Sequence, residues 1–97
     1  METVSFSATP TFDCAKGTTH KITLTGNVTS STLSNCSAGQ PVLMIVCQDG
    51  TGSRTFTWPG TMKGGMTIGS TASKCSAQSF VFDGSTAYAT GTGVTNQ

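Results

Sequence analysis

Apolar and polar residues alternate along much of this chain with a period of two, the spacing of a strand with one covered face. Residues 4–7 read VSFS and alternate until Pro10 breaks the run; Phe12 then opens a short second piece that ends near Cys14. Residues 20–28 read HKITLTGNV, with Ile22 and Leu24 on one face and Thr23 and Thr25 on the other. Residues 42–47 read VLMIVC and are apolar on both faces, the pattern of a central strand covered on both sides. Residues 55–58, TFTW, alternate again and stop at Pro59, which has no N–H to give a ladder. Residues 80–82 and 87–89 flank Asp83-Gly84, a hairpin signal, and Asp49-Gly50-Thr51-Gly52 offers a second turn. No window sustains the i, i+3, i+4 pattern of a helix. The pattern predicts an all-β fold of about six or seven short strands, a small antiparallel sandwich or β-prism.

Antiparallel order has a consequence for the ends. If 20–28 runs up, 42–48 down, 55–58 up and 79–83 down, the long connections 29–41 and 60–76 both lie at the upper end. Trp58, Cys36 and Cys75 then sit at that end, with Cys14 and Cys47 at the other. A disulfide needs α-carbons within about 7 Å, so this order favours pairing Cys36 with Cys75 and Cys14 with Cys47. The alternative is buried thiols, since Cys47 lies in an apolar strand where a reduced cysteine packs as a small hydrophobe.

Composition narrows the class. The 97 residues suggest a single β domain, 1–97, with a loose tail over 91–97. Charged residues make up 9% of the chain, against roughly 25% in typical soluble domains. Ser, Thr and Gly replace them, as in secreted and fibrous β proteins. The basic residues are scattered singly and the net charge is +1, so there is no stripe to bind nucleic acid. No apolar run reaches the length of a membrane span. The first residues, METVSFSATP, lack the basic and apolar regions of a signal peptide, which fits a segment cut from a longer protein or a virion protein.

Catalytic chemistry is hard to place. Of the four acids Glu2, Asp13, Asp49 and Asp83, two sit in Asp-Gly turns, which leaves no carboxylate pair for glycoside hydrolysis. His20 opens a strand with no Ser or Cys motif around it and reads as an exposed bystander. There is no CxxC and no phosphate loop, so neither an enzyme, a metal site nor a cofactor is expected. Trp58, the single tryptophan, reads first as a core anchor, and alternatively as a platform for a sugar ring. Met62, Lys63 and Met66, in the glycine-rich loop after it, are candidate contact residues, because methionine in a loop gives adaptable apolar contact. Tyr88 is a further binding candidate.

Gln48, Asp49 and Gly52, then Phe56, Trp58 and Pro59, then Gln78, Phe80, Asp83 and Gly84 stand in an order that resembles a module of phage tail-fibre proteins and bacterial fibre-like surface proteins. The likeness covers about residues 20–90. It implies a β-structured fibre-tip module, trimeric and extracellular, on a virion or a bacterial surface, that recognises a cell-surface glycan or protein ligand and carries no catalytic residues. Trimer formation also fits the residues themselves, since strands apolar on both faces in so small a chain need a second cover. A monomeric lectin-like sandwich and a purely structural fibre spacer are the alternatives.

Overall fold

The structure is a computed structural model describing residues 1–97. Its strands are β1 (Glu2–Val4), β2 (Thr11–Asp13), β3 (Thr19–Leu24), β4 (Thr32–Ser34), β5 (Pro41–Gln48), β6 (Met62–Lys63), β7 (Cys75–Phe82) and β8 (Ala87–Ala89), with one 3-10 turn at Cys14–Lys16. Six form a sheet in the order β1-β3-β5-β7-β8-β6, while β2 and β4 pair separately. The all-β expectation holds. The antiparallel order holds only for β5, β7 and β8, because β1, β3 and β5 run parallel, as do β2 and β4. A parallel pair needs a crossover of a dozen or more residues, and residues 25–40, which include β4, supply it between β3 and β5.

The alternation decides what is buried. His20, Ile22 and Leu24 of β3, Val42, Met44 and Val46 of β5, Ser76, Gln78 and Phe80 of β7, and Ala87 of β8 face inward and are buried. Met62 of β6 joins them, and Phe12 and Val28, with half-buried Phe56 and Trp58, close over this face. Phe12 meets Phe56 edge-on at 6.0 Å, and Phe56 meets Trp58 edge-on at 5.0 Å. Each fully buried side chain of this size contributes about 1.5–3 kcal/mol. His20 is not exposed, contrary to expectation: it alternates with Ile22 and Leu24 and shares their face. Its Nδ1 donates to Glu2 Oε1 at 2.8 Å, and the same oxygen accepts from the Asp13 N–H at 2.9 Å, so one carboxylate ties together β1, β2 and β3.

The opposite face of the sheet is left uncovered by the chain. Leu43, Ile45 and Ala77 are half-buried there, and Val81, Tyr88 and Val94 are exposed. The register sets them side by side: Ile45 opposes Ala77, which opposes Val94, and Val81 opposes Tyr88. Lys63 lies next to Tyr88 at the β6 edge.

Strand direction also fixes the disulfides. All four cysteines are bonded, as Cys14–Cys36 and Cys47–Cys75. The pairing expected from antiparallel order is therefore corrected. Because β2 and β4 run parallel, both end at the same level, and Cys14 and Cys36 follow them with α-carbons 4.8 Å apart. Cys47 and Cys75 are direct cross-strand partners on β5 and β7, with α-carbons 3.9 Å apart. Asp13 braces the first bridge: its Oδ1 accepts from the Ala15 N–H and the Asn35 side-chain amide, and these bonds hold its carboxyl below the usual aspartate range, Asn35 contributing most.

One further expectation changes. Residues 55–58 form no hairpin with β5; Phe56 instead makes a parallel bridge to Val28, with the Val28 N–H donating to the Thr55 carbonyl at 2.9 Å. Residues 91–97 are exposed and reach back to the sheet. Val94 exchanges both backbone hydrogen bonds with Ala77, and Gln97 does so with Cys75, continuing the edge of β7 beyond β8.

Candidate functional site

Residues 49–54 and 69–74, the two flanks of the connection that carries β6, gather at the end of the sheet where β5 leaves and β7 enters. Gln48, the last residue of β5, is buried and organises them. Its side-chain amide donates to the carbonyls of Arg54 and Gly69, both at 2.9 Å, and its Oε1 accepts from the Arg54 N–H at 3.0 Å. One side chain thus fixes the spacing between two distant stretches of loop, and a buried amide so satisfied is costly to replace. Ser76 Oγ accepts from the Gly69 N–H and holds the second stretch from β7.

The turn between is set by Asp49, whose Oδ1 accepts from the N–H groups of Thr51 and Gly52. Its other oxygen accepts from Arg54 Nη2 at 3.2 Å. These bonds, the one from Arg54 first, lower the Asp49 pKa. Gly52 is required twice over: its φ is +74°, and an added Cβ would lie 2.8 Å from the backbone of Ser70 and Ala72. Ser53 follows in the same left-handed region at φ 59°, where a side chain is uncommon, and its N–H donates to the Ser70 carbonyl at 2.8 Å.

Trp58 closes the far wall. Its indole N–H donates to the Met66 carbonyl at 2.8 Å, and its ring lies 5.2 Å from that of Phe80. Gly65 passes so close that an added Cβ would come within 2.8 Å of the indole. Between these walls lies a hollow of about 480 Å³, within the usual span of small-molecule sites, about 300–1,000 Å³. Phe56, Trp58, Met66 and Ile68 make its apolar part. Ser53, Thr55, Thr67 and Ser70 bring hydroxyls to it, none bonded within the chain, and Arg54 is the one charged residue that lines it.

The five residues marked for binding separate into three places. Trp58 and Met66 share the hollow. Lys63 and Tyr88 are neighbours at the edge of the uncovered sheet face. Met62 is 5% exposed and belongs to the core, because the two-residue strand β6 turns it inward beside Ala87. Arg54 and Ile68 were not foreseen.

A second hollow, about 460 Å³, lies along β1 and β3 with Lys21 as its charged residue; it has Phe6 as its single aromatic side chain.

These features define a small disulfide-bonded β module whose buried polar side chains hold a ligand-sized hollow at one end. The family model described as "Putative phage tail fibre C-terminal domain" matches residues 8–87, and the chain belongs to that family. Membership carries a fibre-type role and association with a virion, outside the cell. No curated protein and no solved structure matches the chain.

Proposed function

We propose that this domain is the adhesive tip of a tail fibre, acting as a homotrimer that recognises a cell-surface glycan. The observation that carries the reading is the pairing of an apolar patch on the uncovered sheet face, flanked by Thr19, Lys21, Thr23 and Ser79, with a hollow at the end of the same sheet. The apolar row of Leu43, Ile45, Ala77, Val81 and Val94 supports the trimer: three copies packed by these faces around an axis would remove from water what one chain leaves exposed. The hollow at the end of the sheet supports glycan recognition, because an apolar part beside free hydroxyls suits a ring with one apolar face and a polar rim. Two disulfides suit a domain that works outside the cell.

The test is a glycan array probed with the labelled, oxidised domain. Binding to a defined set of bacterial surface saccharides is expected. An array blank at micromolar protein, from a correctly folded sample, would leave the domain a structural spacer. Binding by a protein that remains monomeric would favour a lectin-like sandwich.

A further inference from the structure

We infer that the hollow between Trp58 and Arg54 takes an acidic pyranose, a sugar ring bearing a carboxylate, with Arg54 as its recognition residue. The inference rests on the adhesive reading above and names the chemistry of the ligand. Three observations carry it. First, Arg54 is the one charged side chain lining the hollow, and no acid lines it. Second, the guanidinium is only partly engaged: Nη2 donates to Asp49 Oδ2 at 3.2 Å, a long bond for an ion pair, while Nε is shut off from solvent without any acceptor. A buried donor without a partner is uncommon in a folded chain, and because this one is closed off from the hollow as well, it meets a ligand only through a rotamer step of Arg54. Third, the rest of the hollow matches a sugar rather than a bare anion, since Trp58 and Met66 offer apolar surface and the hydroxyls of Ser53, Thr55, Thr67 and Ser70 have no partner in the chain.

The geometry gives the residues distinct roles. Nε and Nη2 form one edge of the guanidinium, the edge that grips a carboxylate with two parallel hydrogen bonds. Asp49 holds that edge through one atom only. A ligand carboxylate would displace Asp49 from Nη2 after a rotamer step of Arg54 and satisfy Nε at the same time. Asp49 remains tied by its other oxygen to the Thr51 and Gly52 N–H groups, so the turn survives the exchange. Asp49 is thus an internal competitor for the ligand. Gln48, which fixes the Arg54 backbone, is a positioning residue.

Trp58 is the single tryptophan of the chain and lines the hollow, so its emission reports occupancy directly. The experiment titrates the oxidised domain with glucuronate, glucose and acetate, and repeats it with the Arg54→Gln and Asp49→Asn variants. Folding of each variant is checked by near-ultraviolet circular dichroism. Glucuronate is expected to shift the emission, with glucose and acetate at least tenfold weaker. Arg54→Gln should weaken glucuronate about tenfold or more, the loss of a charged hydrogen-bonding pair. Asp49→Asn keeps an oxygen for the turn but removes the competing charge, and should tighten glucuronate several-fold. A purely structural role for the Arg54–Asp49 pair predicts the opposite for Asp49→Asn, namely weaker binding or none. Equal response to glucose and glucuronate, or to acetate and glucuronate, would overturn the inference. So would glycans that bind on the array without moving Trp58 emission, in which case the adhesive reading stands and this site does not. A blank array together with silent titrations removes both.

Discussion

Removing the disulfides one at a time should lower stability by similar and additive amounts. Cys14–Cys36 spans 22 residues and Cys47–Cys75 spans 28, and the two loops do not overlap. Loop-closure entropy then gives about 3.4 and 3.6 kcal/mol at 25 °C. A domain of this size holds about 5–15 kcal/mol in all, so losing both bridges, about 7 kcal/mol, takes from nearly half of it to all of it. With an unfolding entropy of about 0.2 kcal/mol/K for this length, each removal lowers Tm by roughly 15–20 °C. The assay is thermal unfolding of the Cys14→Ala/Cys36→Ala variant, the Cys47→Ala/Cys75→Ala variant and the fourfold variant, beside peptide mapping of the unreduced protein. Loops closed one after the other give independent losses, because neither bond lies inside the loop of its partner. Interleaved loops, as in a 14–47 and 36–75 pairing, would make the two losses depend on each other. A cross-linked peptide joining Cys36 to Cys75 would exclude this pairing, and a Tm change below about 5 °C for both single-bridge variants would show that the bridges do not stabilise by closing these loops.

Gln48→Leu should destabilise by about 2–4 kcal/mol, because it strands the Arg54 N–H and two carbonyls, and should raise amide exchange at Arg54; unchanged exchange there would argue against its holding the loop. Gly65→Ala forces a methyl to within 2.8 Å of the indole and should cost about 1–3 kcal/mol, with a red-shifted Trp58 emission, whereas an unshifted spectrum would mean the loop yields elsewhere. Asp13, Asp49 and Asp83 all have lowered pKa values in the fold, Asp83 through the Thr86 and Ser85 N–H groups, so below the ordinary aspartate value the unfolded chain binds more protons. Their contribution is therefore complete above about pH 3.9 and is lost as pH falls through the lowered values. Tm should drop between pH 4 and pH 2, and Asp83→Asn should narrow that drop; a variant that widened it would reverse the sign.

The sequence made the β character plain, because period-two alternation depends only on which face is buried. It was silent on strand direction. Residues 25–40 are rich in Ser, Thr and Gly, as a hairpin loop would be, and nothing in that composition distinguishes a crossover from a turn. The wrong cysteine pairing followed from that one assumption. Trp58 was legible as an anchor from the phase it shares with Phe56 and the stop at Pro59, and the contact with Phe56 and the indole bond to Met66 agree with this. The burial of His20 was also legible, since it falls in phase with Ile22 and Leu24, but its charge type hid it. Arg54 was not legible, as a lone arginine after a Gly-Ser turn carries no pattern. Its place depends on Gln48 reaching across the loop, a contact that no local spacing encodes.

In the proposed fibre, further copies of this chain cover the outward face of the sheet. Solution mass tests it most directly. Sedimentation equilibrium of the oxidised domain at micromolar concentration should give about 30 kDa, three copies of a 9.9 kDa chain, and Ile45→Lys on the uncovered face should reduce it to one. A single 9.9 kDa species for the unmutated domain, unchanged across the concentration range, would mean that no second copy covers this face.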